Sequence, residues 1–491
     1  MAAKTYKRLI VACDGTWVNS DNGFVRDSWL PWKTEGKLAT SSNVTRLTRA
    51  LLSKSTDGIQ QIVYYQGGLG SQNNWWSYLF GGYLGEGISE NIREAYAFLC
   101  NNCEDGDEII LVGFSRGAFT ARSIGGLISS VGLLTKHGLG AFYPIFKDWE
   151  NQTTPNHKQY ESAAWPIEGR PSIKDGGPYL RELVKNNLTR PKIPIKAIGV
   201  FDTVGSLGVP TIKIGGFTLF KDSTHEYAFV NTAVAPNIEH AYQALALDEQ
   251  RTPFSPTIWE SPDPSQSSLK VLKQTWFPGV HTSIGGGYKD TSISDITLAW
   301  MVTQLSAHLS FDPKYVAVQR EQNERFYESR QPPVPVRSWA MGLIKRSDGG
   351  LLNTLMGRGA RTLGEYRATD PDTGEVTDHK LIKTCEFIHP SVRYRRDQHG
   401  TGISKDEKDY VGSGSYQPLA LEGFTYAAAG SDEASEVGGK EWKEYAKWYV
   451  KRPSGEVTYI VEDQIEDGTA EMVLLKGWPG VEAKLGSDNL S

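Results

Sequence analysis

Ile109-Ile110-Leu111-Val112-Gly113-Phe114-Ser115-Arg116-Gly117-Ala118 is the stretch from which the rest of the chain can be read. Four apolar, partly β-branched residues carry the signature of a short buried strand. A Gly-x-Ser-x-Gly pentad follows, and Ala118 to Leu134 reads as a helix rich in small residues. Strand, sharp turn and helix in that order hold a serine on a strained elbow, with its hydroxyl exposed above a sheet. Gly113 and Gly117 have no side chain to collide with the neighbouring strand and helix. The amide of Arg116, at the helix start, is placed to donate to an oxyanion. The competing reading is a plain strand-to-helix turn whose serine caps the helix.

Upstream, Arg8 to Cys13 is a strand that turns at Asp14-Gly15-Thr16-Trp17. Asn43 is placed to cap a helix carrying Val44, Leu47, Ala50 and Leu51 at helical spacing. Gln61 to Tyr65 is a second strand, closed by Gln66-Gly67-Gly68-Leu69-Gly70, and Gly87 to Asn101 is an amphipathic helix. Alternating strands and helices predict an α/β fold, hydrolase-like, with a mostly parallel central sheet and helices on both faces. Downstream, Ile195 to Phe201 and Leu269 to Phe277 read as strands, and Pro236 to Asp248 reads as a helix. We expect a catalytic domain over residues 1–330, with a lid-like insertion at about 136–194, and an irregular C-terminal covering region over 331–491. Val457 to Val461 and Met472 to Leu475 are strand-like pieces within that last part.

Among 491 residues, 39% are hydrophobic and 22% charged, which suits a large core and argues against global disorder. A net charge of −5 with no basic stripe makes nucleic acid a poor partner. Cys100-x-x-Cys103 has the spacing of a redox or metal pair, but no second pair or nearby histidine completes a site. Four cysteines without a disulfide framework fit a reducing compartment. No signal peptide or membrane-spanning run is visible, so the expectation is a cytoplasmic protein.

A serine nucleophile needs a base within hydrogen-bond reach, itself oriented by an acid. In a parallel sheet these come from the carboxyl ends of later strands. Asp202 follows the strand ending at Phe201 and His281 follows the strand ending at Phe277, giving the order serine, acid, histidine. His389 is the second choice for the base, while His240 falls inside the expected helix at 236–248. The second oxyanion donor is assigned to the amide of Gly15, with Asp14 bracing that turn. Asp14 also admits a reading as a metal ligand or phosphatase-type nucleophile, but no second aspartate stands two residues on. Asp14, Thr16, Leu69, Trp75 and Trp76 are the expected pocket residues. The Trp75-Trp76 stretch could equally touch a lipid surface or pack over the sheet edge. The glycines at 285–287 are expected to let backbone crowd close to a substrate.

These motifs together resemble one family: Val11-Ala-Cys-Asp-Gly-Thr16, Tyr64-Tyr65, Gly113 to Phe119, Phe201-Asp-Thr-Val204, Ala244 to Glu249, Phe277 to His281 with Gly285 to Tyr288, and Ile388 to Val392. It is the α/β-hydrolase family, common in fungi and bacteria, that includes the phospholipase effectors of bacterial type VI secretion; this chain is similar to its fungal members. The resemblance covers roughly residues 6–310, with a weaker echo to about 395. It implies an α/β-hydrolase fold and a triad that transfers to Ser115, Asp202 and His281. It further implies hydrolysis of a carboxylic ester, small or lipid, through an acyl-enzyme and without cofactor or metal, and transient contact with a lipid interface. Gln66 stands where the family usually has Asp, and Thr282-Ser283-Ile284 where it often has Ser-Asp-Val, which bears on the substrate rather than the reaction class. Acyl transfer by the same triad, or a hydrolase-like protein that only binds, are the alternatives.

Overall fold

The structure, a computed structural model, describes residues 6–15, 40–68, 84–154, 157–204, 233–330, 334–346, 358–370, 376–404, 412–438 and 442–485, with short pieces at 25–26, 36–37, 213–214 and 217–218. One sheet organises them. Its strands are β1 (Lys7–Cys13), β2 (Gln60–Gln66), β3 (Glu108–Phe114), β4 (Ala197–Phe201), β5 (His240–Ala246) and β6 (Val271–Phe277). Beyond these come β7 (Glu386–Ile388), β8 (Thr425–Ala427), β9 (Lys447–Lys451) and β10 (Val457–Glu462). The spatial order is β8-β9-β10-β7-β6-β5-β4-β3-β1-β2. Pairings from β2 through β7 to β10 are all parallel, and only β8–β9 and β9–β10 are antiparallel. The segment after residue 331 therefore extends the same sheet with four strands.

β1, β3 and β4 are apolar through their centres because both faces are covered. Ile10 and Ala12 of β1, with Ile110 and Val112 of β3, pack into one layer together with α1 (Asn43–Ala50). Leu9, Val11, Ile109 and Leu111 pack into the other, under α2 (Leu84–Asn102) and α3 (Arg116–Val131). The segment at 136–194 also lies on this second layer, where Phe146, Trp149, Trp165 and Tyr179 are buried. Among the described residues, no helix is long and apolar enough to cross a membrane.

The chain runs from β1 outward to β2, returns across β1 to β3, and then travels the other way through β4, β5, β6 and β7. That reversal opens a crevice at the carboxyl ends of β1 and β3, where parallel sheets bind ligands.

Three sequence expectations are corrected. Residues 240–246 form the strand β5, not part of a helix, and hydrogen-bond in parallel to both β4 and β6. Ala241 to Ala246 are all buried. A strand buried on both faces is a continuous apolar run that periodicity alone does not separate from helix, and the unpaired edges of β4 and β6 override alanine's preference. Met472 to Leu475 lie in a helix, Ala470–Lys476, whose N-cap Thr469 accepts from the Met472 amide at 3.3 Å.

Asn43 is not the cap of α1; Ser42 is, accepting from the Thr45 amide at 3.1 Å. Asn43 instead bolts three elements together. Its Nδ2 lies 2.9 Å from the Ile284 and Ser294 carbonyls and from Thr297 Oγ1. Ile284 belongs to α6 (His281–Gly285), and Ser294 and Thr297 to α7 (Ser292–Leu305). A lost cap costs typically ~1 kcal/mol. Because Asn43 is fully buried, Asn43→Ala strands several polar groups and is expected to cost about 2–4 kcal/mol. Urea unfolding measures this; a loss of 1 kcal/mol or less would return Asn43 to a cap-sized role.

Candidate active site

β3 delivers Ser115 into the crevice on a strained turn. Ser115 has φ 57° and ψ −122°, a conformation side-chain-bearing residues rarely adopt. Its amide donates to the Phe201 carbonyl at 3.1 Å, so the turn is held by the β4 edge. Tight packing forces the turn. A Cβ on Gly117 would lie 2.1 Å from the Cys13 carbonyl oxygen, and one on Gly113 would lie 2.4 Å from the Gly117 oxygen. The start of α3 thus rests directly on the end of β1. Ser115 makes no side-chain cap to α3, so the plain-turn reading of this serine does not describe it.

The Ser115 hydroxyl lies 2.9 Å from His281 Nε2, and His281 Nδ1 lies 2.6 Å from Asp202 Oδ2. With the proton on Nδ1, the imidazole donates to Asp202 and accepts from Ser115. Asp202 follows β4 directly, has φ 37°, and is fully buried. His281 opens α6, just beyond β6. Exposure rises from 0% at Asp202 through 5% at His281 to 9% at Ser115, so the string opens toward solvent at the serine. The imidazole is gripped by Phe114 and Phe254, whose ring centroids are 4.8 and 4.9 Å away. Gly285 serves this grip: a Cβ there would sit 2.0 Å from the Phe114 ring. Its role is to admit Phe114, a correction to the expectation that this glycine makes room for substrate.

Behind the string lies a buried charge network. Asp202 Oδ1 accepts from the Ala246 amide at 3.0 Å, and the Arg361 guanidinium reaches both carboxylate oxygens, at 3.4 and 3.2 Å. Glu249 accepts the His281 amide at 3.2 Å and pairs with Arg251 at 2.9 Å through each oxygen. Burial works to raise the Glu249 carboxyl, but Arg251 and Arg361 outweigh it and hold it down at about 2. Its neighbour Asp248, facing the Gly279 amide at 2.6 Å and the Tyr416 hydroxyl at 2.9 Å, is pushed up by burial to about 6.

Arg116 opens α3 beside Ser115. Gly15 is present at the crevice, but its amide donates to Asp14 Oδ1 at 2.7 Å. Asp14 Oδ2 accepts from Ser42 at 2.6 Å, Thr45 at 2.9 Å and Tyr65 at 2.7 Å, which locks the turn after β1. Thr16, Leu69, Trp75 and Trp76 lie outside the described residues. His389 is 1% exposed, with Nδ1 at 2.7 Å from Ser391 Oγ and Nε2 at 3.0 Å from Glu471. That second serine-histidine-acid string is a sealed helix cap. His240 lies on β5 with Nδ1 3.0 Å from the Lys196 carbonyl. Burial pushes the Cys13 and Cys100 thiols up to about 12, so they stay protonated in the core.

Arg251, Phe254 and Arg361 escaped the sequence reading, and Glu249 entered it only as the end of the Ala244–Glu249 motif, without a role. Glu249 follows a strand end as Asp202 does, and recognising β5 as a strand would have found it. Arg361 stands in a Gly-Arg-Gly-Ala-Arg stretch with no periodic signal.

Residues 7–304 match the family model described as T6SS, phospholipase effector Tle1-like, catalytic domain, and the chain belongs to that family. An uncharacterized protein of Saccharomyces cerevisiae is 29% identical over 231 residues, which are 43% of this chain and 29% of that protein. An uncharacterized protein from Pseudomonas aeruginosa, known from a crystal structure, aligns with a TM-score of 0.29 at 15% identity, over 66% of this chain and 51% of that one. The chain thus spans well under two thirds of the length of either.

The depressed Glu249 carboxyl makes a stability prediction. A group whose folded pKa lies below its unfolded value contributes stability at neutral pH and loses it as pH falls from about 4.5 through about 2. That difference corresponds to about 3 kcal/mol. Denaturant unfolding of wild type and Glu249→Gln should give curves that converge by about this amount between pH 6 and pH 2. A gap that does not change with pH would contradict the assignment.

Proposed function

From that membership, we propose that this chain is an α/β-hydrolase-type serine esterase acting on carboxylic esters of lipids, through an acyl-enzyme on Ser115. The observation that carries the reading is the continuous string from Ser115 Oγ through His281 to Asp202, at 2.9 and 2.6 Å, at the open carboxyl edge of a parallel sheet. The phospholipase description of the family supports the lipid substrate.

Ser115 Oγ attacks the ester carbonyl carbon as its proton passes to His281 Nε2. Asp202 holds the imidazole in the accepting tautomer and balances the imidazolium that forms. The Arg116 amide, at the N-terminus of α3, donates to the developing oxyanion. Gly15 becomes the second donor by exchanging Asp14 Oδ1 for the substrate oxygen, while Asp14 keeps its three hydroxyl partners. Collapse of the tetrahedral species breaks the ester C–O bond, and His281 returns its proton to the departing alcohol. Water, deprotonated by His281, then opens the acyl-enzyme and frees the carboxylic acid and Ser115.

The test is hydrolysis of p-nitrophenyl butyrate and of a diacylphosphatidylcholine in mixed micelles. Wild type should release fatty acid and lysophospholipid in equal amounts, and Ser115→Ala and His281→Ala should each lose about 10³-fold or more in kcat. Activity of Ser115→Ala within tenfold of wild type would refute the nucleophile. Transfer of the acyl group to an added alcohol in preference to water would identify an acyltransferase instead.

A further inference from the structure

We infer that Arg361 is a positioning residue for the Ser115–His281–Asp202 string, fixing the carboxylate of Asp202 from the C-terminal part of the chain. The inference rests on the proposed esterase reading and deepens it. Arg361 lies beyond residue 304, where the match to the family model ends.

The contact is direct and enclosed. Arg361 Nη2 is 3.2 Å from Asp202 Oδ2 and 3.4 Å from Oδ1, with the two side chains 4% and 0% exposed. Asp202 Oδ2 is the oxygen that accepts His281 Nδ1, and Oδ1 also takes the Ala246 amide at 3.0 Å. Arg361 is the contact that spans both oxygens, so it opposes rotation of the carboxylate about its Cβ–Cγ bond. Its backbone is tied in place. Arg358 bridges Arg251, and the Gly359 amide donates to the Gln250 carbonyl at 3.0 Å. The same short stretch carries Glu249, which accepts the His281 amide at 3.2 Å. One segment therefore fixes both the backbone of the base and, through residues 358–361, the carboxylate of the acid.

The charges agree with the geometry. Asp202 and Glu249 are two buried anions, and Arg361 and Arg251 are the cations paired with them. Asp248 and Tyr416 lie behind Gly279, Tyr366 faces Arg361, and Tyr288 faces Arg251. Removing the Arg361 charge leaves Asp202 undercompensated, and a bare buried carboxylate at 2.6 Å raises the proton affinity of the imidazole. The base is then protonated, and idle, over a wider acidic range. A group that only filled space would not have this effect.

The experiment compares full-length wild type, Arg361→Met and Arg361→Lys on p-nitrophenyl butyrate from pH 4.5 to 9. Rates are divided by the number of sites titrated with a fluorophosphonate. For Arg361→Met we expect the acid limb of kcat/KM to move up by about one pH unit. We also expect kcat per titrated site to fall about tenfold or more, with KM within about twofold of wild type. Arg361→Lys keeps the charge but not the planar guanidinium that sets Nη2 between the two oxygens, so its limb should stay at the wild-type position while kcat per site still falls. An Arg361→Met enzyme with the wild-type limb and wild-type kcat per site overturns the inference. If Arg361→Met does not fold, Arg361→Lys decides, and wild-type kcat per site in that variant overturns it. Wild type that takes no fluorophosphonate label would instead refute the esterase reading, and this inference with it.

Discussion

Everything at the crevice depends on the contact between the start of α3 and the end of β1. With a Cβ at Gly117 lying 2.1 Å from the Cys13 carbonyl oxygen, the helix can approach only as bare backbone. That approach drives Ser115 into its positive-φ turn and aims its hydroxyl away from α3, toward His281. The strain is offset by hydrogen bonds made elsewhere, chiefly the Ser115 amide on Phe201 and the Phe119 amide on the Ser115 carbonyl. Asp14 secures the other side of the contact by gathering Ser42, Thr45 and Tyr65 around the turn after β1. Asn43, next in the chain to Ser42, ties that turn to the helix that begins with His281.

Burying charge beside Ser115 demands compensation, and the chain supplies it from distant parts of its sequence. Asp202 comes from β4, Glu249 and Arg251 from the loop after β5, and Arg361 from the segment before β7. The string at His389 differs from the one at His281 in burial and in the way the ring is turned. Ser391, His389 and Glu471 are hydrogen-bonded in series, yet the serine is 0% exposed, and His389 caps the helix by accepting from the Ser391 amide. Ser115 is the most exposed member of its string, and Ser391 is sealed. The ring is also reversed: Ser391 meets Nδ1, whereas Ser115 meets Nε2.

Much of this was legible in the sequence, for physical reasons. A strand covered on both faces must be apolar, and a helix that starts on a glycine between two strands has few readings, so β1, β3, α3 and the elbow could be placed from residue pattern. The rule that parallel sheets gather function at their carboxyl edge located Asp202 and His281. β5 was misread because its alanines and leucine suit either structure, and that error hid Glu249. Asn43 looked like a cap because caps are local, whereas its bonds to residues 284, 294 and 297 are not. Arg361 was invisible for the same reason: its partner lies 159 residues away. The glycine at 285 signalled close approach correctly but not what approaches, which is Phe114.

The proposed chemistry rests on activation of Ser115 by His281. Peptide mapping by mass spectrometry after reaction with diisopropyl fluorophosphate addresses it most directly. The expected result is a single diisopropylphosphoryl adduct per folded chain, located on Ser115, and none on Ser391. A folded chain that takes no adduct, or takes it on a residue other than Ser115, would contradict it.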